Sequence, residues 1–379
     1  MTEAPIQGFV APGFEPVREA FAANFAFPEV YREVGASLAV YRRGECVVDL
    51  WGGHADRAQA RPWERDTLVN LWSTTKGIAA MCVALLVERG ALRYGDRIAD
   101  LWPEFAAAGK DEVTVALALS HQAGLPGFAE PISVDDLLDQ ALCAERLAAQ
   151  APMWKPGSAN GYHAATWGVL VAEIVRRVDG RSIGRFLAEE LADPLGADFH
   201  IGLPQRLEQQ VAEVIPPDHP ADMGGIEMTP AMQLALASPA LDPACANSLN
   251  WRAAELPAMN GHGSAQGIAK LYAASMARTG PGGILSERTF EEMARPAADR
   301  PDLVLGFNPR WSMGFARNAG GMLGPEPDTF GHGGWGGSLG CAHAGSGIAI
   351  GYALNHMGAE LVGDPRATAI CRTVFDCAG

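Results

Sequence analysis

The chain has 379 residues, 48% of them hydrophobic and 19% charged, a size and composition that suit a folded globular protein able to divide into two structural regions and exclude a disordered one. A formal charge of −15 with no Lys/Arg cluster excludes nucleic acid as a partner. Seven cysteines without a C-x-x-C pair, nine histidines without metal-ligand spacing and no apolar run long enough for a bilayer argue against a disulfide framework, a metal site and a membrane span.

Residues 1–8 lack the basic and apolar regions of a secretory signal, so the expected location is cytoplasmic. Residues 36–51 read as a β-hairpin turning at Arg43-Gly44-Glu45. The strand-like run Leu68 to Leu71 leads into Ser73, after which Ile78, Met81, Cys82, Leu85 and Leu86 recur at helical spacing until Gly90. From 91 to 260 the periodicity is mostly helical, clearest over 134–147 and 166–178, and residues 200–250 read as loops and short helices that could cover a site. Beyond that, 265–278 reads as a helix, 311–315 and 347–354 as strands, and 366–375 as a closing helix. Strands thus occupy both ends. The expected fold class is α/β (α+β): an antiparallel sheet built from both termini and flanked by helices, plus an inserted, mostly helical region. The expected division is 1–90 with 261–379 as the α/β domain and 91–260 as the helical domain, with an active site between them.

Ser73 and Lys76 stand three apart in Leu71-Trp72-Ser73-Thr74-Thr75-Lys76-Gly77, which puts hydroxyl and amine on one helical face. Serine needs an adjacent base to act as a nucleophile, and a desolvated lysine can supply one. The same spacing suits an N-cap serine followed by a solvated lysine. Tyr162 lies in the turn-rich stretch from Trp154 to His163, where a phenol either reaches a cleft or packs in the core. Phe330-Gly331-His332-Gly333-Gly334-Trp335-Gly336-Gly337-Ser338 has the glycines that let backbone approach a ligand, or that mark a bulge.

The order S-x-x-K, then Trp154-Lys155-Pro156-Gly157 and a tyrosine, then H-x-G before a glycine-rich strand resembles the serine β-lactamase-like superfamily, closest to class C β-lactamases and family VIII carboxylesterases. Leu119-Ser120-His121-Gln122-Ala123-Gly124-Leu125-Pro126, Asp96-Arg97-Ile98 and Trp102-Pro103-Glu104-Phe105 extend the match over nearly the whole chain. The resemblance implies Ser73 as the acylated nucleophile, Lys76 and Tyr162 as acid and base, and the backbone N–H groups of Ser73 and Trp335 as oxyanion hole. It implies no cofactor, and places His332, Gly333, Gly334 and Trp335 against the substrate. Phe128, with Trp72, Trp154 and Trp335, flanks the motifs and suits an apolar acyl site.

Two departures bear on the substrate. Where class C enzymes carry Y-x-N, this chain has Tyr162-His163-Ala164, without the amide that contacts the acylamino group of lactams. His332 stands where those enzymes carry the K-T-G lysine, replacing a permanent charge by a side chain mostly neutral near pH 7. Both point to a neutral small-molecule ester and a serine carboxylesterase activity; the alternatives are a β-lactamase, an amide hydrolase or an acyltransferase of the same superfamily, or a sensor that binds acyl groups without turnover. Gly336-Gly337-Ser338-Leu339-Gly340 also fits the G-x-S-x-G elbow of α/β-hydrolases, but a strand rather than a helix is expected after Ser338, which argues against it.

Overall fold

A computed structural model describes residues 5–219, 227–276 and 283–379. Parts of three expectations lie outside the described residues: the opening tetrapeptide, positions 220–226 of the loop-rich stretch, and the end of the helix expected over 265–278.

Among the described residues, seven strands form one antiparallel sheet: β1 (Ile6–Val10), β2 (Gly35–Arg42), β3 (Glu45–Gly53), β7 (Ala316–Arg317), β8 (Phe330–Gly333), β9 (Leu339–His343) and β10 (Ile348–Leu354). Their order is β1-β3-β2-β10-β9-β8-β7. The β2–β3 hairpin turns on Arg43 and Gly44, both left-handed at φ 52° and 87°, the backbone that a two-residue hairpin turn demands. β10 lies beside β2, with Ile348 opposite Arg42 and Leu354 opposite Ala36, and joins the N-terminal hairpin to the C-terminal strands. The expected sheet from both termini is therefore present.

Strand alternation divides the sheet's faces. Leu38, Val40, Leu50, Ile350 and Tyr352 point to one face, where they pack with residues of α1 (Glu15–Asn24) and of the closing helix Pro365–Ala378. Ala39, Ala349 and Ala353 point to the other face, against the helix Ala265–Met276. That helix lies so near that a β-carbon on Gly351 would stand 2.2 Å from the Ala265 carbonyl oxygen. Only glycine fits there.

A smaller sheet of β4 (Val69–Asn70), β5 (Phe199–His200) and β6 (His262–Gly263), in the order β4-β6-β5, feeds α2 (Thr74–Glu88). Every residue of α2 from Thr74 to Leu86 is buried, as expected of a helix apolar all round. It packs against the helix Thr166–Asp179 of the middle region and against β8 of the sheet.

Two expected elements are corrected. Residues 134–147 form two helices, Val134–Leu138 and Gln140–Ala149, because Asp139 leaves the helical backbone (φ −91°, ψ 95°) and its carboxylate caps the second at Ala141 and Leu142. Residues 311–315 are not a strand: Gly314 turns at φ 87°, and pairing is limited to a bridge at Trp311 before β7 begins. Both alternating sets there are buried, so the alternation does not mark a half-buried strand. Sequence reading also passed over β1 and α1.

Candidate active site

The corner between β4 and α2 is held on both sides of Ser73. The Leu71 N–H donates to Gly261 O at 2.8 Å, and Thr75 Oγ1 donates to Trp72 O (2.5 Å) while accepting from the Gly261 N–H (2.9 Å). Trp72 sits at φ 46°, a left-handed conformation that is rare for a bulky side chain and clusters at functional sites. Its ring lies between Trp251 and Trp335, at centroid distances of 5.7 and 5.1 Å. The corner carries Ser73 at the N-cap position, yet its side chain caps nothing. Ser73 Oγ instead meets Lys76 Nζ at 3.2 Å and accepts from Tyr162 Oη at 2.6 Å.

Lys76 is fully buried, so the solvated alternative is excluded. Its Nζ donates to Ala164 O (2.8 Å) and Ala258 O (2.9 Å) and lies 4.8 Å from the centre of the Tyr162 ring. Among the described residues no carboxylate pairs with it, and burial drives its pKa well below the usual lysine value. A neutral amine has two hydrogens and one lone pair. With both hydrogens on carbonyls, the lone pair is left for the Ser73 hydroxyl.

Tyr162 is 2% exposed and lies on a stretch without helix or strand. Its ring stacks on Trp311 (5.7 Å, 10° between planes) and tilts against His121 (5.0 Å) and His332 (6.1 Å). Burial raises its pKa, which keeps the phenol a proton donor. The supporting histidines have fixed tautomers. His163 Nε2 accepts from the Leu125 N–H (3.0 Å), leaving Nδ1 to donate to Gly161 O (2.6 Å). His121 Nδ1 accepts from the His163 N–H (3.0 Å), and His121 is itself left-handed at φ 61°.

The glycine-rich turn between β8 and β9 closes over Ser73 from the sheet side. Ser338 Oγ donates to Leu71 O (2.8 Å) and meets Thr74 Oγ1 at 3.0 Å, fastening the turn to the nucleophile corner. A β-carbon on Gly334 would lie 2.2 Å from Ser338 Oγ and 2.3 Å from Leu71 O, so the approach needs glycine. The N–H groups of Gly334 and Gly336 are used, on Ser338 O and Glu360 O. Those of Ser73 and Trp335 are without a hydrogen-bond partner among the described residues. Ser338 is followed by β9, contrary to a nucleophile elbow.

Buried His332 donates from Nδ1 to Gly333 O (2.8 Å), and burial holds it neutral, with its pKa pushed down to about 3. With Tyr162, Gly333 and Gly334 it lines a cleft whose other walls include Leu305, Phe307 and Met322. Phe128 and Trp335 are not among the cleft's lining residues: Phe128 is 1% exposed within the core, and the Trp335 ring packs on Trp72. Asp302, whose carboxylate holds the Tyr162 N–H at 2.9 Å, went unnoticed in the sequence because a lone aspartate carries no motif. Among the described residues no group of three or more His, Cys, Asp or Glu is placed to hold a metal ion, and no helix is long and apolar enough to cross a membrane.

A serine flanked by a buried lysine and a phenol at the mouth of a buried helix, under an antiparallel sheet, suits the class of serine hydrolases that work through an acyl-enzyme. The Beta-lactamase family model matches residues 22–372, and the chain belongs to that family, within the β-lactamase/esterase superfamily. It is 34% identical over 370 residues to "Esterase/beta-lactamase LipL" of Mycobacterium tuberculosis (strain ATCC 25618 / H37Rv), covering 94% of this chain and 84% of that protein. Among solved structures it resembles a family VIII carboxylesterase (46% identity, TM-score 0.92, 98% of this chain and 100% of that one). A penicillin-binding protein homolog from Caulobacter crescentus is similar at 40% identity, TM-score 0.92 and the same coverage.

Proposed function

We propose that the protein is a carboxylesterase acting on neutral esters of short to medium acyl chains, with Ser73 as nucleophile, Lys76 as base and Tyr162 as acid. The observation that carries this reading is the arrangement at Ser73 Oγ, with a desolvated amine at 3.2 Å and a phenol at 2.6 Å. The neutral amine takes the Ser73 proton as Oγ attacks the ester carbonyl. The free N–H groups of Ser73 and Trp335 receive the oxyanion. Tyr162 protonates the departing alkoxide, and Lys76, now an ammonium, returns a proton to the phenolate. Water then attacks the acyl-enzyme by the same steps reversed.

Preference for esters over lactams is supported by the neutral His332 and by Ala164, whose methyl offers no donor and whose carbonyl is engaged by Lys76. The apolar cleft beside Tyr162 and the resemblance to a family VIII carboxylesterase support it too. We also place the protein in the cytoplasm, on the support of seven cysteines that are all free.

The test is turnover of p-nitrophenyl acetate, butyrate and octanoate beside nitrocefin, with Ser73→Ala as control. Multiple turnovers of the esters, lost in Ser73→Ala, with slow or no nitrocefin hydrolysis, are expected. Efficient nitrocefin hydrolysis would overturn the ester preference, and wild-type ester turnover by Ser73→Ala would overturn the nucleophile.

A further inference from the structure

Tyr162 must hold its hydroxyl within hydrogen-bond distance of Ser73, yet no helix or strand carries it. The element that fixes it is a buried carboxylate. Asp302 is 2% exposed, and among the described residues no cation pairs with it. One of its oxygens, Oδ1, accepts from three backbone N–H groups: Tyr162 (2.9 Å), Val304 (2.9 Å) and Leu305 (3.0 Å). The other, Oδ2, accepts from Asn160 Nδ2 (3.1 Å) and Trp311 Nε1 (2.9 Å). A buried carboxylate is tolerated when donors saturate it, and here all five contacts are N–H donors.

The partners matter more than their number. Trp311 is the ring stacked on Tyr162, at 5.7 Å and 10°. One carboxylate therefore sets both the backbone of the tyrosine and the plate against its phenol. A third contact, from the Leu303 N–H to Asn160 O (3.0 Å), ties the same two segments together.

We infer that Asp302 is a positioning residue for this enzyme, acting through Tyr162: it aims the phenol at Ser73 and thereby controls proton delivery to the leaving group. This rests on the proposed role of Tyr162 as acid. Asparagine is the sharp probe. In Asp302→Asn one oxygen can still serve Tyr162, Val304 and Leu305, but an NH₂ group then faces the N–H donors of Asn160 and Trp311, so the Trp311 plate is released.

A poorly aimed acid harms an ester whose leaving group needs a proton more than one whose leaving group does not. The experiment measures kcat and KM of wild type, Asp302→Asn, Tyr162→Phe and the double variant on ethyl butyrate and p-nitrophenyl butyrate, with thermal melts of each. For Asp302→Asn, kcat/KM on the ethyl ester, which reports acylation and not the deacylation that both butyrates share, is expected to fall about 10²-fold, as for loss of general-acid help. The p-nitrophenyl ester should lose less than about tenfold, and the double variant should be no slower than Tyr162→Phe, as coupled residues require. Equal losses of kcat/KM on both esters, or losses that multiply in the double variant, would reduce Asp302 to a structural role and overturn the inference.

If Asp302→Asn does not fold, Trp311→Phe decides, because it keeps a ring over Tyr162 and deletes the donor to Asp302. A selective loss on the ethyl ester supports the inference, and wild-type kinetics overturn it. Wild-type kinetics in Tyr162→Phe would instead remove the underlying reading of Tyr162.

Discussion

Lys76 is the residue on which the proposed chemistry turns, and its burial has a consequence for pH. Its amine is held well below the ordinary value of 10.5 by loss of water, so the folded protein releases a proton that the unfolded chain keeps. The lysine's contribution to stability therefore rises with pH through the window between the lowered pKa and 10.5, by about 1.4 kcal/mol per pH unit for one proton. Buried thiols and phenols with raised pKa values pull the other way above pH 8, so the lysine is read as a difference: in urea unfolding, stability should rise less or fall more from pH 8 to pH 10 in Lys76→Met than in wild type, and equal slopes would contradict a buried lysine with a lowered pKa. The same release puts the acid limb of kcat/KM well below the usual lysine range, and Lys76→Met should lose about 10²–10⁴-fold in kcat. The Ser73–Lys76 pair was legible because i and i+3 adjacency is local to a helix. Asp302 was not, because its partners at 160, 162 and 311 come together only after folding.

At the scale of elements, the β8–β9 turn is the part most easily misread from sequence. Gly336 to Gly340 spells a hydrolase elbow, yet Ser338 spends its hydroxyl on Leu71 O and Thr74 Oγ1. It is a latch between sheet and nucleophile corner. Ser338→Ala should cost about 1–2 kcal/mol of stability, since Leu71 O loses a buried partner, while retaining most ester turnover; loss of activity as deep as that of Ser73→Ala would reinstate the elbow. The hairpin 36–51, helix α2 and the helix at 166–179 were legible, each being a long run that a glycine turns or ends (Gly44, Gly90 and Gly180). The segments at 134–147 and 311–315 were not, because a single Asp139 that caps and a single Gly314 that turns outweigh a pattern spread over their neighbours.

For the whole molecule, the proposed site is composed from distant stretches: the start of α2 brings Ser73 and Lys76, the middle region brings Tyr162, and the β8–β9 turn brings the Trp335 N–H. We keep the division into 1–90 with 261–379 and 91–260 as a proposal. Behind the site, the helix Ala265–Met276 packs closely on the sheet at Gly351. Gly351→Val would drive a side chain into the Ala265 carbonyl and the Ala269 N–H, and should destabilise by about 3 kcal/mol or more. Chemical denaturation checks this, and a wild-type midpoint would contradict the packing.

The strand order β1-β3-β2-β10 has one more consequence, in the time course of synthesis. The hairpin made first leaves the ribosome with the β2 edge open, and its neighbour β10 is translated only after the whole helical region and the strands β7 to β9. Until then Leu38, Val40 and Leu50 lack Ile350, Tyr352 and the closing helix as cover. A ribosome stalled before residue 348 therefore holds a sticky, inactive chain rather than a partial enzyme, and the nascent hairpin is where a chaperone would be needed.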